Sequence, residues 1–373
     1  MRTVSKFLFG AGAILISGVF PAAAQDAEAQ ENSIVVSSGY EEAIERYGSQ
    51  SVEAIQVNGP NQYSAIFLDD LNIGGLVFRY PNLDSPITVP EDQLTFKIAY
   101  KDQLDKARYA QLNEAGKQAE ARELIRQEVY PLLKFVPIDP KTIQIHRLVG
   151  QLLDELIAAG EVNEAASILE SFPKARMIGY FRPQAVEVAT ELVNEGDIDR
   201  AYALVKQFPL GPGQIDFARV YLNLANEFRL REEWEKSRNL YKDVQLASSP
   251  AETPEAFLWE AYIHIQEGRE FMVDGILDQF GEIDSNNRYF SLRELVNGAV
   301  LEKRGEEQEA LSSLAKGLVY STTNDPWTPE LLYRTAALYD SQDFPGAADE
   351  IRDQLRFFYP DSIWVERLNN ENS

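Results

Sequence analysis

The chain has no cysteine and only two histidines among its 373 residues. Without cysteine there are no disulfides, thiolate metal sites or cysteine nucleophiles, and no lipid can be attached to a cysteine behind a signal sequence. His146 and His264 show no metal-ligand spacing, and each falls where helical periodicity expects a packing or boundary residue. Neither a metal nor a cofactor is expected. Basic residues are also scarce: 35 Lys and Arg stand against 59 Asp and Glu, a formal net charge of −24. Nucleic-acid binding depends on neutralising phosphates, so this balance disfavours it. It disfavours adsorption to anionic lipid for the same reason. Walker loops, nucleophile elbows and dinucleotide fingerprints are absent. Ser313-x-x-Lys316 lacks the companion motifs of a serine acyl-enzyme. Asp70-x-Asn72-x-Gly74 lacks the length and terminal glutamate of a calcium loop and reads as a turn.

The N-terminus carries a targeting pattern. Arg2 and Lys6 precede an apolar run from Phe7 to Phe20, and Ala22-Ala23-Ala24 offers a small-residue cleavage site before Gln25. The run is too short for a comfortable membrane span. Residues 1–24 are expected to be a cleaved signal peptide. The mature chain would then have no membrane span and would be periplasmic or secreted. Residues 25–50 read as a flexible leader followed by a short helix at 40–47.

Residues 51–90 are β-prone. The runs Val52–Val57, Tyr63–Leu68 and Gly75–Tyr80 are separated by the turn cluster Asn58-Gly59-Pro60-Asn61 and by Asp69-Asp70, and Pro81, Pro86 and Pro90 close the segment. Three strands are predicted. So small a sheet is marginal alone and is expected to cap a larger array.

From Glu91 to about residue 365 the spacing is helical, and it repeats. Gly160–Pro173 and Gly196–Pro209 match in register at Gly160/Gly196, Ala165/Ala201, Phe172/Phe208 and Pro173/Pro209. Gly268 and Gly305 continue a period of about 36. Arg231-Glu232-Glu233 and Gln342–Asp343 fill the missing beats, and Gly116 is an early, irregular one. The predicted fold is mostly α: a helix-hairpin, right-handed superhelical solenoid with a small N-terminal β-rich cap.

In residues 221–250, Tyr221, Leu224, Ala225 and Phe228 occupy one helix, Trp234, Ser237 and Tyr241 the next, and Pro250 closes the unit. The last unit carries Leu332, Ala336, Tyr339, Ala348 and Pro360, and Gly305, Ala310 and Leu314 match between them. This pattern resembles the tetratricopeptide repeat family. The departures are units longer than 34 residues, Val273 at a small-residue position, and a first unit that matches only at Ala121. The ending Phe358-Tyr359-Pro360-Asp361-Ser362 is similar to repeats of bacterial envelope proteins.

The resemblance implies a protein or peptide partner in the cell envelope, held on a concave face lined by the first helix of each pair. In this register the face carries Arg147, Arg219, Asn226, Arg229, Tyr262 and Tyr333. Arg219, Asn226 and Arg229 fall one and two turns apart on one helix, where they could hold a peptide carboxylate or pair with neighbouring acids. No catalytic residue is expected. The alternative is an envelope enzyme, or a glycan- or polymer-binding protein, on the same solenoid. That reading needs a deep, acid-lined cleft with Trp or Tyr on its floor and a Glu whose pKa is raised by burial, and Trp259, Glu260 and Tyr262 are its candidates. Strand addition at an edge of the β-region is a third route. The oligomeric state is not readable.

Overall fold

The structure is a computed structural model, and it describes residues 34–83, 85–173, 179–249, 251–278 and 283–371. The expected signal peptide, Pro250 and Gly281 lie outside the described residues. The chain divides into Met1–Val35 and Val36–Ser373. The sheet and every described helix belong to the second unit.

Helix α1 (Tyr40–Tyr47) leads into a sheet of five antiparallel strands rather than three. These are β1 (Val52–Gly59), β2 (Gln62–Asn72), β3 (Gly75–Arg79), β4 (Ile87–Val89) and β5 (Lys97–Tyr100), in the order β4-β3-β2-β1-β5. One face of the sheet is mostly apolar by alternation, with Gln56 the polar exception on β1. Val52 and Ala54 of β1, Ile66 and Leu68 of β2, and Phe78 of β3 are buried. The fifth strand corrects the predicted boundary, because helix does not begin at Glu91. The four-residue spacing of Leu94 and Ile98 imitates a helix, yet burial alternates from Leu94 to Tyr100 with Ile98 innermost. Pro90, just upstream, disfavours helix before it. The helical array begins at Lys106.

From there the chain forms consecutive hairpins: α2 (Lys106–Glu114) with α3 (Gln118–Val129), α4 (His146–Ala158) with α5 (Val162–Glu170), α6 (Arg182–Glu195) with α7 (Ile198–Val205), α8 (Ile215–Leu230) with α9 (Trp234–Ala247), α10 (Pro254–Gln266) with α11 (Val273–Leu277), α12 (Phe290–Arg304) with α13 (Glu307–Tyr320), and α14 (Thr328–Ser341) with α15 (Pro345–Phe358). A last helix, α16 (Ile363–Glu371), follows. A 3-10 turn at Tyr130–Phe135 and the segment up to Ile145 lengthen the first interval and account for the irregular beat at Gly116.

One turn geometry recurs at every beat. Gly116, Gly160, Gly196, Gly268 and Gly305 all have φ between 72° and 88°. Glu232 and Asp343, at the two beats without glycine, adopt φ of 63° and 61°. Each turn closes with the same hydrogen bond, as in Asp197 N to Leu192 O (2.8 Å), Glu233 N to Phe228 O (3.0 Å) and Phe344 N to Tyr339 O (2.9 Å). This is the left-handed helix stop that glycine adopts without a Cβ penalty. The small residues Ala165, Ala201, Ser237, Ala310 and Ala348 are fully buried in the hairpin seams. Val273, equally buried, occupies that position in the hairpin with the short second helix. The molecule is therefore a mostly α helix-hairpin repeat with an N-terminal β cap. No helix among the described residues is long and apolar enough to cross a membrane.

Candidate functional site

The predicted groove residues separate into two regions. Arg219, Asn226, Arg229 and Tyr262 come together, but the surface they form is largely closed. Arg229 is 4% exposed. It leaves α8 and meets Glu330, in the first turn of α14, at 2.8 Å, and Glu330 is itself fully buried. The Arg229 guanidinium lies over the Trp259 ring at 3.6 Å and near that of Tyr262 at 5.6 Å. The Tyr262 hydroxyl donates to Glu330 and accepts from Arg334. Arg334 also reaches Glu330 at 3.2 Å and Glu302 of α12 at 2.6 Å. Burial works to raise the Glu330 carboxyl, but Arg229 and Arg334 beside it, with the Tyr262 hydrogen bond, hold it below the ordinary value. Burial acts on Glu302 in the same sense and there prevails, so its carboxyl stays raised against the pull of Arg334.

The network continues outward. Asn226 accepts from the Tyr241 hydroxyl (2.6 Å) and donates to Glu255 (3.2 Å) in the first turn of α10. Arg219, half exposed, reaches the other oxygen of the same carboxylate at 3.2 Å. Of the two readings of the Arg219–Arg229 pair, the geometry takes the ion-pair one: both arginines are bound to the chain's own carboxylates. Arg229 and Tyr262 are corrected from groove residues to core residues. Apolar residues of the first helices, Val186, Leu222, Leu258 and Leu292 among them, are buried as well. Glu255, Glu330, Arg334 and the stacking role of Trp259 were missed in the sequence. Pro254-Glu255 and Pro329-Glu330 were a usable signal, since proline opens a helix and an acid in its first turn faces the amide end.

Tyr333 lies on the outer side of the same helix and meets α16. Its ring packs on Trp364 at 5.0 Å and its hydroxyl donates to Glu371. Burial, with the Glu371 carboxylate beside it, pushes this phenol up to about 12.

The enzyme candidates do not form an open cleft. Trp259 and Tyr262 are in the core, and Glu260 accepts from Gln245 at 2.8 Å. Ser313 is buried and donates to Glu294. Asn72 caps the tight β2–β3 turn through Gly74 N at 2.9 Å. His146 starts α4 with Nε2 at 3.0 Å from Val136 O, and burial lowers its pKa. His264 is buried in α10.

Arg147 stands apart. It is exposed at the start of α4, beside β5 rather than in the α8–α14 network. Here the sheet and the first hairpins leave a cleft of two adjoining cavities that share Pro140 and Tyr180. One, of about 500 Å³, is bordered by Tyr100, Asp102, Gln144, Arg147 and Leu148. The other, of about 570 Å³, is bordered by Glu91, Pro137, Ile138 and Asp139. Tyr180 is 50% exposed and packs on the His146 ring at 5.1 Å. Asp102 is held by Lys106 at 2.7 Å, which with Arg147 nearby lowers its carboxyl. Beyond β5, Ile98 N donates to Thr142 O at 2.7 Å, so the 142–143 segment already covers that part of the sheet edge.

No protein-family model matches the chain, and no curated protein sequence matches it. Among solved structures the chain is similar to PilF of Pseudomonas aeruginosa, with a TM-score of 0.35 and 13% identity, covering 61% of this chain and 98% of that one. It is similar to a tetratricopeptide repeat protein from Parabacteroides merdae, with a TM-score of 0.39 and 10% identity, covering 70% and 95%. It is also similar to YrrB, described as a TPR protein with an unusual peptide-binding site, with a TM-score of 0.27 and 17% identity, covering 50% and 91%.

Proposed function

We propose that the chain is a non-enzymatic scaffold of the bacterial cell envelope that binds a protein or peptide in the cleft between β5 and α4. The observation that carries this reading is the contrast in how the cations are used. Arg229 is consumed by a buried carboxylate, whereas Arg147 has no hydrogen bond or ion pair among the described residues and borders one of two adjoining cavities. Cavities of about 500 and 570 Å³ are in the range of ligand sites. The lining combines apolar and aromatic surface (Pro137, Ile138, Pro140, Tyr180) with a few polar groups, which is the composition that recognises an extended peptide. The peptide-binding description of YrrB is consistent with such a role. Export follows from the pattern of residues 1–24.

A photo-crosslinking residue at Tyr180, in the native host, tests the cleft. A discrete adduct is expected that disappears with Arg147→Glu, and none is expected from the same probe at the fully exposed Ile73. No adduct at Tyr180, or equal adducts at both positions, would sink the cleft. Export predicts a periplasmic or secreted chain that starts at Gln25. A cytoplasmic chain that keeps its first residues would overturn it.

A further inference from the structure

Helix α16 is packed unlike the rest of the array. Its buried residues Trp364, Val365 and Leu368 form a cluster with Leu332 and Leu355 that is separate from the main core, and Leu230, Tyr333 and Ile351 flank it. Arg367 reaches out of this cluster to the C-terminal end of α8. It donates to Leu230 O at 3.0 Å, pairs with Glu232 at 3.0 Å, and lies over the Trp364 ring at 4.6 Å. A helix several hairpins downstream therefore returns to the turn that ends α8, the one turn where a glutamate stands at positive φ and faces a cation among the described residues. The link between α15 and α16 is short and contains Pro360, and Ser362 Oγ accepts from Trp364 N at 3.2 Å as α16 begins.

We propose that the groove between α14, α15 and the end of α8 is a docking site for an amphipathic helix, which α16 fills in the free chain and a partner helix of the same pattern takes over. The pattern can be read from α16 itself: an aromatic residue, aliphatic residues one and four positions on, and a basic residue three positions on. Two features make α16 the replaceable element. A helix this short has little stability of its own, and its apolar contacts form a satellite cluster, so it can detach without opening the main core. The partner's cation is selected by Glu232 and the carbonyl end of α8, in a chain that carries a net charge of −24. This inference rests on the scaffold reading but uses no residue of the β5 cleft.

The test needs only the chain's own sequence, so its failure leaves the cleft untouched. A fluorescent peptide spanning residues 361–371 is titrated into three full-length chains: native, Trp364→Ala/Leu368→Ala to loosen α16, and the loosened chain with Tyr333→Ala and Glu232→Lys to spoil the groove. Saturable binding at least tenfold tighter to the loosened chain than to the native one is expected, and the third chain should lose it. The proposal fails if the loosened chain, with native circular dichroism, takes no more peptide than the native chain, or if the spoiled groove takes as much. Hydrogen exchange on the native chain guards against misfolding of the variants. Amides of α16 should exchange at least about a hundredfold faster than those of α14, and equal protection would overturn the detachable helix.

Discussion

The β5–α4 cleft and the α8–α14 face both carry arginines at positions that the repeat register directs inward, and they put them to opposite uses. At the cleft, Arg147 borders open space. On the α8–α14 face, Arg229 spans 101 residues to bind Glu330, and the hairpins between them are drawn around that ion pair. The same residue type on the first helix of a hairpin is exposed in one region and almost fully buried in the other. A repeat pattern therefore assigns a residue to a face. Whether that face is open depends on how tightly successive hairpins curl, and that depends on residues far away in the chain.

The largest effect is expected at the buried pair. Arg229→Met leaves Glu330 with only Arg334 and Tyr262, and removing one member of a buried pair costs about 3–5 kcal/mol. The double variant Arg229→Met/Glu330→Leu removes both charges, leaves Arg334 with Glu302, and should recover most of that loss. Denaturant unfolding of the two variants and the native chain measures it. A mild single variant would mean that the α8–α14 face is open in solution.

Acid is the second way to loosen this face. The Glu330 carboxyl is depressed, so its contribution is complete above the ordinary carboxylate value and is lost as pH falls through its folded value. The Glu302 carboxyl is raised, so its contribution has the opposite sense: present at low pH and lost as pH rises through its folded value. Glu330→Gln should be less stable than the native chain at neutral pH, and the gap should narrow on acidification. Thermal unfolding at a series of pH values follows it, and a gap that stays constant would exclude Glu330 as the acid-sensitive group.

The repeat architecture was legible because it is local. The turn glycines, the small seam residues and the beats at Glu232 and Asp343 are each set by backbone geometry within one hairpin. Equivalent turns should respond in opposite directions to opposite exchanges. A Cβ at Gly305 would meet no atom within 4 Å, so Gly305→Ala costs only the left-handed strain, about 1 kcal/mol, while Asp343→Gly should gain a similar amount. Melting temperatures that shift in the same direction would break the equivalence of the two turns. What escaped the sequence was non-local. The strand Lys97–Tyr100 needs β1 as its partner, and the Arg229–Glu330 pair needs the curl of the intervening hairpins. Leu94 and Ile98 fit a helical period as well as a strand, and nothing near them in the chain announces Gln56 as the partner of Ile98.

Arg219 gives the smallest and most discriminating effect. It sits about three turns before Arg229 on α8 and also faces a carboxylate that is almost fully buried, Glu255. If register alone set energetics, the two arginines would matter equally. Arg219, however, is half exposed, so its attraction to Glu255 is screened by solvent. Glu255 also keeps the Asn226 amide at 3.2 Å and lies in the first turn of α10, where free backbone amides favour an anion. Arg219→Ala should therefore cost less than about 1 kcal/mol in denaturant unfolding, well below Arg229→Met. Arg219→Glu should cost more than Arg219→Ala, because it sets a second carboxylate against Glu255. A loss at Arg219→Ala as large as that at Arg229→Met would place the outer end of the network inside the buried clasp, and the contrast between an open and a closed region would then have to be redrawn around α8 as a whole.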